Sequence, residues 1–176
     1  MVKKIVGTGV LLVLALALQA GVKMYTLKSP DGKVKLEVTA GQGIAYSLFY
    51  DGRLLLKPSR IALHTDLPEA DHWENIRITG TKQRHVSETV QAPFYRVKEF
   101  GIDCNELELR LNNGFSLLMR AYNDGMAYRF VAGRKGEMTV VEERAEFNFA
   151  DDFEAYIPYS TNPKDPWNMA FQNFYT

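Results

Sequence analysis

From residue 33 onward, apolar and polar side chains take turns. In "KVKLEVTA" (33–40), Val34, Leu36 and Val38 fall on one side of an extended chain, and Lys35, Glu37 and Thr39 on the other. That period of two places alternate side chains on opposite faces of a strand. The same style continues through "GIAYSLFY" (43–50), "DGRLLL" (51–56), "IALHT" (61–65), "NIRITGTKQRHVSETV" (75–90) and "FYRVKEF" (94–100). It runs on through "NELELRL" (105–111), "FSLLMRA" (115–121), "MAYRFVA" (126–132) and "EMTVVEERAEFNFA" (137–150). Turn residues separate the runs. Asp51-Gly52 suits a type I′ hairpin, because both positions tolerate positive φ. Asn112-Asn113-Gly114 and Asn123-Asp124-Gly125 mark two more hairpins. About ten to twelve short strands at this spacing predict an antiparallel β-sandwich or barrel.

The hairpin "RAYNDGMAYRF" (120–130) carries an arginine on either side of its turn, Arg120 and Arg129. Such guanidinium groups either pair with carboxylates on the protein or offer a fork of donors to a ligand. Spacing alone does not separate the two.

The ends of the chain depart from the strand pattern. Lys3 and Lys4 precede the uncharged run "VGTGVLLVLALALQA" (6–20), with Ala15 and Ala17 in an A-x-A arrangement and Ala20 as a further cleavage edge. This is the form of a secretory signal peptide over residues 1–20. It is shorter than the roughly 20 apolar residues of a membrane span; an uncleaved anchor is the alternative. The mature protein is expected to be secreted or periplasmic and free of the membrane after cleavage. At the other end, "DDFEAYIPYSTNPKDPWNMAFQNFYT" (151–176) holds three of the seven prolines and a crowd of aromatics. It predicts an irregular tail, with one helical turn near 167–172, that packs on something.

Composition narrows the function. Hydrophobic residues make up 46% of the 176, enough for a core without disulfides or metals. With 21 basic and 21 acidic side chains the net charge is zero, which removes the electrostatic basis for nucleic-acid binding. The single cysteine, Cys104, reads as a small buried residue. Candidate carboxylates are Glu142, Glu143, Glu146, Asp151, Asp152 and Glu154, but most stand where an alternating strand meets water. His64, His72 and His85 are scattered and mark no acid–base pair. Sugars stack their C–H faces on aromatic rings, so Trp73, Tyr156, Tyr159 and Trp167 are the candidate carbohydrate contacts, against core or interface packing.

Three segments, "SPDGKVKLEV", "YSLFYDGRLLL" and "LLMRAYNDGMAYRF", occur in that order. Together they resemble the N-terminal domain of glycoside hydrolase family 97, a family of secreted α-glucosidases and α-galactosidases of Bacteroides type. The resemblance covers about residues 24–176. It implies a galactose-mutarotase-like supersandwich over 24–160 and an irregular junction over 161–176. Beyond that junction it implies a catalytic barrel that holds the reacting carboxylates and most of the calcium-binding glutamates. No catalytic residue is therefore expected in this chain, nor any cofactor for the chain alone. The family's junction glutamate for calcium has its nearest match at Gln172, followed by Tyr175. A glutamine carbonyl can ligate calcium but brings no charge, so such a site would be weaker. The resemblance also implies that Arg120 and Arg129 fix strand and domain contacts rather than hold sugar. The expected function is a scaffold, inactive alone, that packs on the barrel and shapes its oligosaccharide pocket. The alternatives are a free-standing carbohydrate-binding module and a mutarotase-like epimerase.

Overall fold

The computed structural model describes residues 23–94 and 96–154. Nine strands run through them: β1 (Met24–Lys28), β2 (Val34–Gly41), β3 (Gly43–Tyr50), β4 (Arg53–Thr65), β5 (Ile78–Gln91), β6 (Glu99–Leu111), β7 (Phe115–Tyr122), β8 (Gly125–Ala132) and β9 (Val140–Ala145). Every pairing is antiparallel. One sheet has the order β1-β2-β3-β4-β9 and the other β5-β6-β7-β8. The expected all-β antiparallel sandwich is what forms.

Alternation builds the core. Val34, Leu36 and Val38 of β2, with Ile44 and Tyr46 of β3, face Leu107, Leu109, Leu117 and Met119 from the second sheet, and all are buried. Each such side chain contributes about 1.5–3 kcal/mol by leaving water. The Tyr46 hydroxyl reaches the core's edge and donates to the carbonyl of Glu146 at 3.2 Å.

Turn chemistry sets the hairpins. Asp51 and Gly52 both have positive φ, 47° and 79°, as a type I′ turn requires. Gly52→Ala should therefore cost about 1–2 kcal/mol, the penalty for a Cβ in the left-handed region; a denaturant titration checks it. In the Asn112-Asn113-Gly114 loop, Gly114 takes φ 86°. The Asn123-Asp124-Gly125 turn is different. Asn123 and Asp124 form the bend, and Gly125 opens β8 without positive φ. Here the Asn123 side chain helps hold the turn, accepting a hydrogen bond from the backbone N–H of Asp31 at 3.0 Å.

Fewer strands form than the pattern predicts, because neighbouring runs fuse. "DGRLLL" and "IALHT" become the single strand β4, which passes through Pro58 beside a register shift against β3. Proline lacks a ladder donor and is tolerated at such irregularities. "FYRVKEF" is not a separate strand. Its first part is the tip of a long β5–β6 hairpin, closed by Ala92 N–H donating to the carbonyl of Lys98, and its last two residues begin β6. Phe94 on that tip is 98% exposed.

The first sheet is one strand wider than the second. Glu143 and Ala145 of β9 pair with Leu63 and Ile61, and Phe149 bridges to Leu56. Those partners belong to the core or pack against it, so Glu143, Ala145 and Phe149 stand on the inward side. All six residues of β9 are nevertheless exposed. The last strand opposite is β8, whose Tyr128 hydroxyl reaches Glu143 at 3.1 Å. Burial, then the Glu143 carboxylate, pushes the Tyr128 phenol up to about 12.

Candidate functional site

The second sheet has a structured outer face. Leu107 and Leu109 of β6, and Leu117 and Met119 of β7, point into the core. Strand alternation turns Cys104, Glu106, Leu118 and Arg120 the other way. Outward positions of an antiparallel sheet are usually wet. Here Cys104 and Val86, opposite one another across β5 and β6, are buried yet lie outside the core cluster. Glu106 is only 4% exposed.

Register explains Glu106. Arg84, Glu106, Arg120 and Ala127 stand in one row across β5, β6, β7 and β8. Arg84 Nε donates to Glu106 Oε1 at 2.7 Å, and Arg120 Nε to Oε2 at 2.8 Å. Both carboxylate oxygens are occupied, which a buried charge requires. Burial by itself raises the Glu106 pKa. The hydrogen bonds and charges of Arg84 and Arg120 more than offset that and hold the carboxyl below the usual glutamate range. Glu106 in turn raises the pKa of Arg120. Burial also pushes the Cys104 thiol up, so it is a packing residue and a poor nucleophile.

The 120–130 hairpin is therefore a structural ion-pair device on its Arg120 side. On its outward face, Leu118, Arg120, Tyr122, Ala127 and Arg129 line a shallow pocket of about 160 Å³. Arginine and tyrosine around a small residue are typical of contact surfaces. A larger groove, about 1030 Å³, lies across the first sheet at the β2–β3 turn, lined by Gln42, Arg60, Asn75, Arg77 and Asn112 among others. It contains no aromatic ring on which a sugar could stack.

Of the carbohydrate and metal candidates read from sequence, Trp73 alone lies among the described residues. Trp73 is 6% exposed, stacks on Phe115, meets Phe130 edge-on and donates its indole N–H to the carbonyl of Leu63. It is a core residue with no face for a sugar. The physical reason is the β4–β5 crossing loop, which drops Trp73 into the open end of the sandwich. Tyr156, Tyr159, Trp167 and Gln172 lie outside the described residues. So do the leader, residues 1–20, and most of the tail.

The carboxylates are held apart. Glu146 accepts from the N–H of Arg60, from Arg144 and from Asn148. Asp151 pairs with Arg53, and Glu143 with Tyr128. His64 pairs with Asp71 at 2.7 Å, while His85, on the other sheet, sits 3.1 Å from Asp103. Among the described residues no group of three or more His, Cys, Asp or Glu converges as a metal site.

Comparison with known proteins follows the same line. A family model described as Glycosyl-hydrolase 97 N-terminal matches residues 27–176. The chain is 39% identical over 167 residues to a retaining alpha-galactosidase of Bacteroides thetaiotaomicron, covering 92% of this chain and 25% of that one. It is 26% identical over 132 residues to a probable retaining alpha-galactosidase of Streptomyces bingchenggensis, covering 73% and 20%. Among solved structures, a beta-arabinopyranosidase superposes with a TM-score of 0.74 at 21% identity, over 86% of this chain and 26% of that one. A Glycoside Hydrolase Family 97 enzyme from Pseudoalteromonas sp. strain K8, in complex with acarbose, superposes with 0.63 at 18% identity, over 77% and 22%. At these identities the superpositions establish the fold. The chain spans a quarter or less of the length of the curated relatives it matches.

Proposed function

The chain belongs to the glycosyl-hydrolase 97 N-terminal family, and on that premise we propose that it is the non-catalytic scaffold of an exported α-glycoside hydrolase. Its work is to pack on a catalytic barrel and form one wall of the oligosaccharide pocket. The observation that carries this reading is the match itself. Nearly all of the chain aligns with the quarter of a retaining alpha-galactosidase that it covers. The outer face of the second sheet supports it. The Arg84–Glu106–Arg120 row ties three strands of that face together, and Tyr122 and Arg129 beside it are side chains suited to contact. The exposed Phe94 at the β5–β6 tip offers a second contact point. Export rests on the leader, and calcium in this reading is a property of the barrel.

The purified chain should leave an aryl α-galactoside and an aryl α-glucoside intact, and should show no heat of binding with panose or acarbose. Hydrolysis that survives repeated purification would mean the chain carries its own catalytic centre. Saturable sugar binding by the chain alone would favour a carbohydrate-binding module instead.

A further inference from the structure

β5 is the outermost strand of the second sheet, with β6 on one side of it. Among the described residues no other backbone group bonds the N–H or C=O groups of residues 78–91. From Thr81 to Gln91 every side chain except Val86 is exposed. An open strand edge invites pairing with another chain, and proteins usually blunt it by shortness, proline or bulges. β5 is 14 residues long, holds no proline, and shifts register against β6 only between Ile78 and Gly80. The stretch from Thr81 to Gln91 is left as an unblunted ladder.

We propose that this edge pairs antiparallel with β5 of a second copy of the chain, about a two-fold axis through Val86. The residues of the strand select that register. It sets Val86 opposite its own copy, Arg84 opposite Glu88 and Glu88 opposite Arg84, all on the outward face. Opposite charges and β-branched side chains directly across an antiparallel ladder stabilise it. On the inward face it sets His85 opposite Ser87 and Gln83 opposite Thr89. An axis at Arg84 or Glu88 would set that charge against itself, and like charges so placed are destabilising. An axis at Ser87 leaves Arg84 opposite Val90. An axis at His85 pairs Lys82 with Glu88, but sets His85 against its own copy and Arg84 opposite Val86.

Both charges are available. Arg84 gives Nε to Glu106 and its side chain stays 53% exposed, which leaves the terminal nitrogens for a second carboxylate. Among the described residues no hydrogen bond or ion pair engages the Glu88 carboxylate. An overlap from Thr81 to Gln91 forms about ten backbone hydrogen bonds and joins the two second sheets into one. The other edges fit less well. β1 and β9 are five and six residues long. The carbonyls of Thr26 and Lys28 on β1 already accept from the side chains of Gln83 and Asn105. β8 holds one charged residue, Arg129, and can form no ion pair with its own copy. The inference concerns the β5 edge and does not depend on a barrel.

Sedimentation of the full chain should show a monomer–dimer equilibrium that moves with protein concentration. Glu88→Arg sets arginine opposite Arg84 twice and should weaken the dimer at least about tenfold. Its far-ultraviolet circular dichroism should be unchanged, since Glu88 is exposed. Cross-linking reads the register. His85→Cys and Ser87→Cys, made as separate proteins, should give a disulfide-linked dimer when mixed and oxidised, and neither should do so alone, because bridged cysteines must stand directly opposite. The native Cys104 is buried and takes no part. A chain that stays monomeric at every concentration overturns the proposal and leaves the edge to another occupant. A dimer indifferent to Glu88→Arg overturns it as well. So does a cross-link in either single variant alone, which would move the axis to His85 or Ser87.

Discussion

Trp73→Ala should cost about 3–5 kcal/mol, the range for removing a large buried aromatic, and should unfold the chain well before it alters any surface property. The indole plugs the end of the sandwich. It stacks on Phe115 of β7, touches Phe130 of β8 and bonds the carbonyl of Leu63 on β4. Removing it opens a cavity between the two sheets and leaves that carbonyl without its partner. Trp73→Phe keeps much of the volume and should cost distinctly less. Thermal melts of the three proteins make the comparison. If Trp73→Ala melted like the parent, the residue would be a surface platform after all, and carbohydrate contact would be open again.

Glu106→Ala should cost about 2 kcal/mol. Breaking a buried ion pair by removing one partner typically costs more, but Arg84 is half exposed and rehydrates, which lowers the figure. Arg120 is the less exposed of the two arginines. Glu108→Ala, two residues along the same outward face, should fall within about 0.5 kcal/mol of zero. The pH dependence has a definite sign. The folded state holds the Glu106 carboxyl below its ordinary value of 4.5. A group depressed in this way stabilises fully above the unfolded value and loses its contribution as pH falls through the folded one. The stability difference between parent and Glu106→Gln should therefore shrink on acidification below pH 4.5, measured by urea unfolding across that range. A difference constant with pH would mean the carboxylate charge contributes nothing.

Much of this is legible in the sequence alone. The period-two runs around Leu36, Leu107 and Leu117 identify core faces directly, because burial on one side of a sheet demands alternation. Asp51-Gly52 announces its turn type. Other features depend on pairing, which no local pattern reports. "NELELRL" gives Glu106 and Glu108 the same surroundings, and only the register that sets Glu106 between Arg84 and Arg120 distinguishes them. The fusion of two runs into β4 needed a bulge at Pro58 that propensity argues against. Trp73 sits among polar loop residues, and its burial follows from where the crossing loop lands. The separation of the acidic side chains, each with its own partner, is likewise a tertiary fact.

The membership of β9 in the first sheet governs how this chain can assemble. Ile61 must find Ala145 across a span that contains the entire second sheet. Closing so long a loop is entropically costly, and contacts so distant in sequence slow folding. The four-stranded sheet is made of successive hairpins and can zip locally. The first sheet's final strand has instead to be brought in across that whole span. Late closure of this seam is thus written into the connectivity, and a chaperone escorting the nascent polypeptide would find its last adhesive surface there.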